Sequence, residues 1–80
     1  MFANLLESIE RLEKLDALIQ LEKTGTPFDA AEKLDISERQ FYRLISFMKN
    51  LGAEIKYCKI KQTYVYTEPV QFHFGFIFQN

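Results

Sequence analysis

Two helix-start signals stand eleven residues apart in the middle of the chain, and they limit its fold more than any other feature. In the first, Thr26 is a favoured N-cap, Pro27 suits the first helical turn, and Asp29 completes a capping box. The run Ser37-Glu38-Arg39-Gln40 is a second capping box. A helix that opens at Pro27 must therefore end before Ser37, so it is short, and another helix follows it directly.

A longer helix is predicted before this pair. Between residues 4 and 23 apolar residues recur at helical steps of three and four, at Leu5, Ile9, Leu12, Leu15, Leu18 and Ile19. We expect Gly25 to end this helix. Leu6, Ala17 and Leu21 widen its apolar surface beyond one stripe, so we expect part of it to meet a second subunit.

After the third helix, which is predicted over residues 37–51 with Gly52 in the left-handed position, the apolar period changes to two. Residues 55–66 then read as a β-hairpin with β-branched and aromatic residues on both arms. Residues 70–78 also alternate strictly, which predicts a further strand. Its phenylalanines would share one face with Val70: they are Phe72, Phe74, Phe76 and Phe78.

The predicted elements are, in order, a helix, a short capped helix, a tight turn, a capped helix and a basic hairpin. This order predicts an α+β winged helix-turn-helix over residues 1–68, with residues 69–80 as a C-terminal strand or arm. The second and third helices cross closely, and Ala31 supplies the small residue that this requires on the second. The shared core is expected to hold Ala30, Leu34, Ile36, Phe41 and Leu44. The turn favours glycine, and Asp35 is tolerated there because aspartate visits left-handed backbone more readily than most residues.

Four runs carry a resemblance to a known family: Thr24-Gly25-Thr26-Pro27, Ala31-Glu32-Lys33-Leu34, Ile36-Ser37-Glu38-Arg39 and Tyr42-Arg43-Leu44. They resemble small bacterial winged helix-turn-helix regulators, the type found at the N-termini of DeoR-like and biotin-repressor-like transcription factors. The resemblance covers about residues 12–66. It implies a DNA-binding regulator whose third helix enters the major groove. No sensor domain is expected to follow, so neither a small-molecule effector nor a cofactor is implied.

The third helix offers the candidate base contacts. With its apolar positions inward, its outer and flanking faces carry Ser37, Glu38, Arg39, Gln40, Tyr42, Arg43 and Ser46. Arg39 and Arg43 lie one turn apart, and either is able to bind guanine through two hydrogen bonds.

The other positions on that helix have competing interpretations. Gln40 either pairs with adenine or serves only its capping box, and Glu38 either reads cytosine or, as we favour, stabilises the helix dipole. Ser37 is expected to be a cap with some phosphate contact. Tyr42 either reaches a phosphate or lies against the edge of the core.

The charges favour the same surface. The total is only −1, but residues 39–61 hold six basic side chains against Glu54 alone, a local net charge of +5 that leaves −6 for the rest. Lys56, Lys59 and Lys61 belong to this basic segment and lie on the hairpin. We expect them to contact phosphates, the alternative being a solvated edge that blocks strand aggregation.

The phenylalanine-rich segment must be covered, because burying each ring contributes roughly 1.5–3 kcal/mol. It either forms a third strand across the core beside the first helix, or it is an arm exchanged between two subunits. We favour exchange, and hence a homodimer, because a core built from 80 residues has little room for more large side chains.

Other classes of function are disfavoured. Cys58 is the only cysteine and His73 the only histidine, so no disulfide or metal site is expected, and the absence of a glycine-rich phosphate loop or paired acids argues against an enzyme. Neither a signal peptide nor a membrane span is recognisable, so a cytoplasmic location is expected. The alternative function is a winged-helix module for protein–protein interaction or assembly, which predicts no salt-dependent affinity for DNA.

Overall fold

The structure is a computed structural model that describes the backbone of residues 2–76 and the side chains of residues 4–76. It contains three helices, α1 (Phe2–Gln20), α2 (Pro27–Leu34) and α3 (Glu38–Asn50), followed by the strands β1 (Ile55–Cys58) and β2 (Thr63–Tyr66). The strands form one antiparallel hairpin. The α+β class and the winged-helix layout are as predicted. No helix in this part of the chain is both long and apolar enough to cross a membrane.

The end of α1 differs from the prediction. The helix stops at Gln20, because Glu22 adopts a left-handed conformation with φ 55°. Two hydrogen bonds from the residues after the helix to carbonyls of its last turn form a Schellman motif. Lys23 N–H donates to the Leu18 carbonyl at 2.9 Å, and Glu22 N–H donates to the Ile19 carbonyl at 3.0 Å.

Gly25 serves the next helix instead. Its φ is 74°, and a Cβ at this position would lie 2.7 Å from the Cβ of Asp29. Glycine therefore allows the Asp29 side chain to fold back and cap α2, and the prediction that Gly25 ends α1 is wrong for this reason.

Both predicted capping boxes are present. Thr26 Oγ1 accepts from the Asp29 N–H at 3.2 Å, and Asp29 Oδ2 accepts from the Thr26 N–H at 3.1 Å. Hydrogen bonding to the carboxylate from Thr26, first through its side chain and then through its backbone N–H, lowers the pKa of Asp29. In the second box, Ser37 Oγ accepts from the Gln40 N–H and Gln40 Oε1 accepts from the Ser37 N–H, each at 3.1 Å.

The turn between α2 and α3 takes the predicted form. Asp35 has φ 56° and ψ 48°, and Ile36 N–H donates to the Ala31 carbonyl at 3.0 Å. Ala31 is only 3% exposed, as expected of the small residue at the helix crossing. This turn fixes the angle at which α3 leaves α2.

The core lies between the three helices and one face of the hairpin. Its central side chain is Phe41 of α3, which is fully buried and meets Tyr64 of β2 edge-on with ring centroids 5.2 Å apart. The other buried apolar residues are Leu12, Leu15, Ile19, Ala30, Ala31, Leu34, Ile45, Met48 and Ile55. The N-terminal half of α1 extends past this core, and Leu5 and Leu6 there are exposed.

Two polar contacts attach α1 and its following loop to β2. The Thr24 N–H donates to Thr63 Oγ1 at 3.1 Å, and the Tyr64 N–H donates to Thr24 Oγ1 at 2.9 Å, with both threonines buried. The Tyr66 hydroxyl donates to Asp16 Oδ1 at 2.6 Å. Because the two threonines and Asp16 are buried and their hydrogen bonds are mutually satisfied, these contacts hold the hairpin in one position on the helices.

Two of the four tyrosines are expected to make the fold sensitive to alkali. Burial, followed by the neighbouring Tyr42 phenol, raises the pKa of Tyr64 from 10 to about 12. Burial and the bond to Asp16 also raise the pKa of Tyr66. The neutral phenols are therefore favoured by folding. The tyrosines of the unfolded chain ionise at about pH 10. The stabilisation by the neutral phenols is therefore complete below pH 10 and is lost as the pH rises above that value.

Urea unfolding monitored by circular dichroism on either side of pH 10 measures this loss. The variants Tyr64→Phe and Tyr66→Phe should each show a smaller decrease in the free energy of unfolding above pH 10 than the wild type. If both variants lost as much free energy of unfolding above pH 10 as the wild type does, the sensitivity to alkali would not come from these two phenols.

The C-terminal segment is not a strand as far as the structure describes it. Residues 67–76 are irregular, and the sheet contains only β1 and β2. Phe72 is half-buried and packs against the core, whereas Phe74 and Phe76 are exposed. The predicted strand in this single chain is therefore wrong, and Phe78 lies outside the described residues.

Candidate nucleic-acid interface

The outer face of α3 is exposed to solvent. Phe41, Ile45 and Met48 are buried and Leu44 is half-buried, so the predicted inward face of the helix is confirmed. The exposed residues on the opposite face are Arg39, Tyr42, Arg43, Ser46, Phe47 and Asn50. Their spacing of three and four residues places them along one side of the helix.

Arg39 and Arg43 are exposed one turn apart on this face. Within residues 4–76 the only ion pair joins Lys61 to Glu22, so neither guanidinium is neutralised there by an acid. Each presents five N–H donors in a planar fork, which matches two acceptors of a base edge or a phosphate.

The N-terminal turn of α3 is occupied by its own cap. Gln40 Oε1 is engaged by the Ser37 N–H, which supports the capping interpretation of Gln40 over adenine recognition by that oxygen. Glu38 is exposed in the first turn, where a negative charge is favourable to the helix dipole. Ser46 is exposed one turn beyond Tyr42.

Tyr42 lies against the edge of the core. Its ring centroid is 5.7 Å from that of Phe41, and its phenol is close enough to Tyr64 to contribute to the raised pKa of that residue. Tyr42 nevertheless remains 49% exposed. The structure shows the predicted contact with the edge of the core, and contact with a phosphate stays a prediction.

The hairpin carries the three predicted lysines at separate places. Lys56 is exposed on β1 opposite Val65, while Lys59 and Lys61 are exposed in the loop at the hairpin tip. Lys61 Nζ lies 2.9 Å from Glu22 Oε1, and this contact raises the pKa of the lysine. Between the two tip lysines, Ile60 is 96% exposed.

Aromatic contacts join the hairpin to α3. Tyr64 packs against Phe41 of α3, and across the hairpin its ring centroid is 4.9 Å from that of Tyr57. The helix and the hairpin are thus held together by buried rings, so a ligand would meet a preformed surface.

Three features of this surface were missed by sequence reasoning. Phe47 and Asn50 continue the exposed face of α3, and the helical period that placed Phe41 inward was a sufficient signal for both. The exposure of Ile60 follows from its position in the predicted loop. No local signal points to the contact between Glu22 and Lys61, because it depends on how α1 and the hairpin pack.

No protein-family model, curated protein or solved structure matches this chain. Within residues 4–76, no group of three or more His, Cys, Asp or Glu side chains is placed to hold a metal ion.

Proposed function

We propose that this protein is a transcriptional regulator that binds double-stranded DNA sequence-specifically, with α3 in the major groove and the hairpin as a wing. One observation carries the proposal: the second helix of a helix-turn-helix exposes two guanidinium groups one turn apart, and neither has an acidic partner among the described residues.

The dimensions and chemistry of α3 suit this role. An α-helix is about 10–12 Å wide with its side chains, and the major groove of B-DNA is about 12 Å wide. Arg39 and Arg43 lie in the N-terminal half of α3, the part of a recognition helix that meets base edges. Each is suited to a bidentate contact with guanine O6 and N7.

The wing supplies the second contact. Its tip presents Ile60 between two lysines, an apolar side chain beside positive charges, which is a composition found where proteins enter the minor groove. Lys59 is the stronger phosphate ligand of the pair, because Lys61 already binds Glu22.

The dependence of DNA affinity on salt tests the proposal. Duplexes are first selected from random sequence with the purified protein, and binding of the selected duplex is then followed by fluorescence anisotropy at increasing salt concentration. If a dimer neutralises about four phosphates per protomer, the logarithm of the affinity should fall against the logarithm of salt concentration with a slope of about −7.

Two variants calibrate that slope. Lys59→Ala should make it less steep by about two units, because each protomer of the dimer loses one phosphate contact. Lys14→Ala, which removes an exposed lysine from α1, should leave it unchanged. Failure to recover any preferred sequence, together with affinity that does not vary with salt, would contradict DNA binding.

A module for protein–protein assembly is the second candidate. The observation that favours it is apolar exposure on α3 and just after its end, since Phe47 is 48% and Leu51 62% exposed. This function predicts no salt-dependent DNA affinity, so the same titration separates the two.

A further inference from the structure

An apolar groove lies where α3 ends and the hairpin begins. Its walls come from the last turn of α3 and the link to β1, from Tyr66, and from the C-terminal segment. The lining residues are Met48, Leu51, Gly52, Ala53, Tyr66 and residues 70–73. Phe72 lies half-buried along it, and the Gln20 side-chain amide holds the segment by donating to the Val70 carbonyl.

The groove is at the end of the domain away from the proposed DNA contacts. Arg39 and Arg43 lie in the N-terminal half of α3, whereas Leu51 follows its last residue, and a helix of 13 residues is about 20 Å long. The hairpin also begins beside the groove at Ala53, while its lysine-bearing tip is at the other end of the strands. A protein bound in the groove would leave the DNA-facing end free.

The chain that leaves this groove carries unpartnered aromatic side chains. Phe74 is 60% exposed and Phe76 is 95% exposed, and no aromatic pair within residues 4–76 includes either ring. Residues 69–76 contain no charged side chain apart from the titratable His73. Exposed aromatic side chains grouped in this way mark an interaction surface.

We propose that the occupant of the groove is a second copy of this chain, which inserts Phe74 and Phe76 while receiving the same side chains in return. The groove and the inserting residues belong to one surface, so a two-fold axis satisfies both contacts at once, as an isologous interface requires. The uncharged segment allows two copies to meet without repulsion.

The available area is consistent with a stable dimer. Two phenylalanines bury about 300–500 Å² per copy. With the groove walls that they would cover, including Leu51 and Val70, the total approaches the 1,200 Å² or so at which specific interfaces begin. This inference concerns assembly and does not depend on DNA binding.

Sedimentation velocity without DNA tests the proposal. The wild type should be a dimer, and Phe74→Ser with Phe76→Ser should raise the dimer dissociation constant at least about 1,000-fold, because each dimer loses four buried rings. Phe28→Ser is the matched control, since Phe28 is an exposed phenylalanine on α2, and it should remain dimeric. Circular dichroism verifies that all three proteins are folded.

A mixing experiment tests the reciprocal geometry. Leu51→Arg should block the groove and make that variant monomeric, because the charge would be placed against the incoming rings. Mixed with the Phe74→Ser/Phe76→Ser protein, it should form a heterodimer, since one intact arm then meets one intact groove.

Three results would overturn the proposal: a wild type that is monomeric at about 1 mM, a serine variant that dimerises as tightly as the wild type, or a mixture that remains monomeric. Loss of the dimer in Phe28→Ser would equally assign the interface elsewhere.

Discussion

Replacing Phe41 by alanine is expected to remove a large share of the domain's stability. Deleting a fully buried phenylalanine costs about 3–5 kcal/mol. A protein stabilised by about 0.05–0.15 kcal/mol per residue holds only about 4–12 kcal/mol over a chain of this length. The melting temperature should fall by at least about 12 °C, and a wild type of low stability would be left largely unfolded at room temperature.

The loss is large because of what this ring connects. Phe41 is 0% exposed on α3 and packs edge-on against Tyr64 of β2, so its removal opens a cavity between the helices and the hairpin. A two-stranded hairpin has little stability of its own and relies on the surface that it covers. The wing should therefore loosen together with the core.

Urea unfolding at neutral pH, followed by circular dichroism, measures the effect. Phe47→Ala is the matched control, because Phe47 lies on the same helix but is 48% exposed, and it should change the free energy of unfolding by less than about 1 kcal/mol. Equal destabilisation by the two variants would mean that Phe41 is not the centre of the core.

Elements that are fixed by residues close together in the chain were predictable from the sequence. The starts of α2 and α3 were predictable because each capping box is closed by residues only three positions apart, Thr26 with Asp29 and Ser37 with Gln40. The exposed position of Arg39 and Arg43 was equally predictable, since the helical period that buries Phe41 leaves them outside.

The errors concern contacts that depend on the folded geometry and leave no pattern in the sequence. Gly25 looked like the end of α1, but its place is set by the approach of the Asp29 side chain. The C-terminal alternation predicted a strand, yet a strand needs a partner, and residues 70–76 pair with neither β1 nor β2. In the same way, only tertiary packing brings Lys61 to Glu22.

Replacing Arg39 and Arg43 together by alanine is expected to abolish sequence-specific DNA binding without unfolding the protein. Each bidentate contact with guanine is worth about 1–3 kcal/mol, so affinity for a selected duplex should fall about 30-fold to 10,000-fold per protomer. Both side chains are exposed and neither is ion-paired within the described residues, so the urea unfolding curve should be unchanged.

Two control variants distinguish base recognition from charge. Lys14→Ala with Lys23→Ala removes the same charge from α1 and its following loop, and should leave the affinity for the selected duplex nearly unaltered. Arg39→Lys with Arg43→Lys retains the charge but loses the planar fork. It should therefore keep the salt dependence and the affinity for random duplex while losing preference for the selected one.

Retention of that preference in the lysine variant would show that α3 contributes charge alone, and unchanged affinity in the alanine variant would remove α3 from the interface. Loss of the preference in both arginine variants, with a normal control, would assign base recognition to these two guanidinium groups.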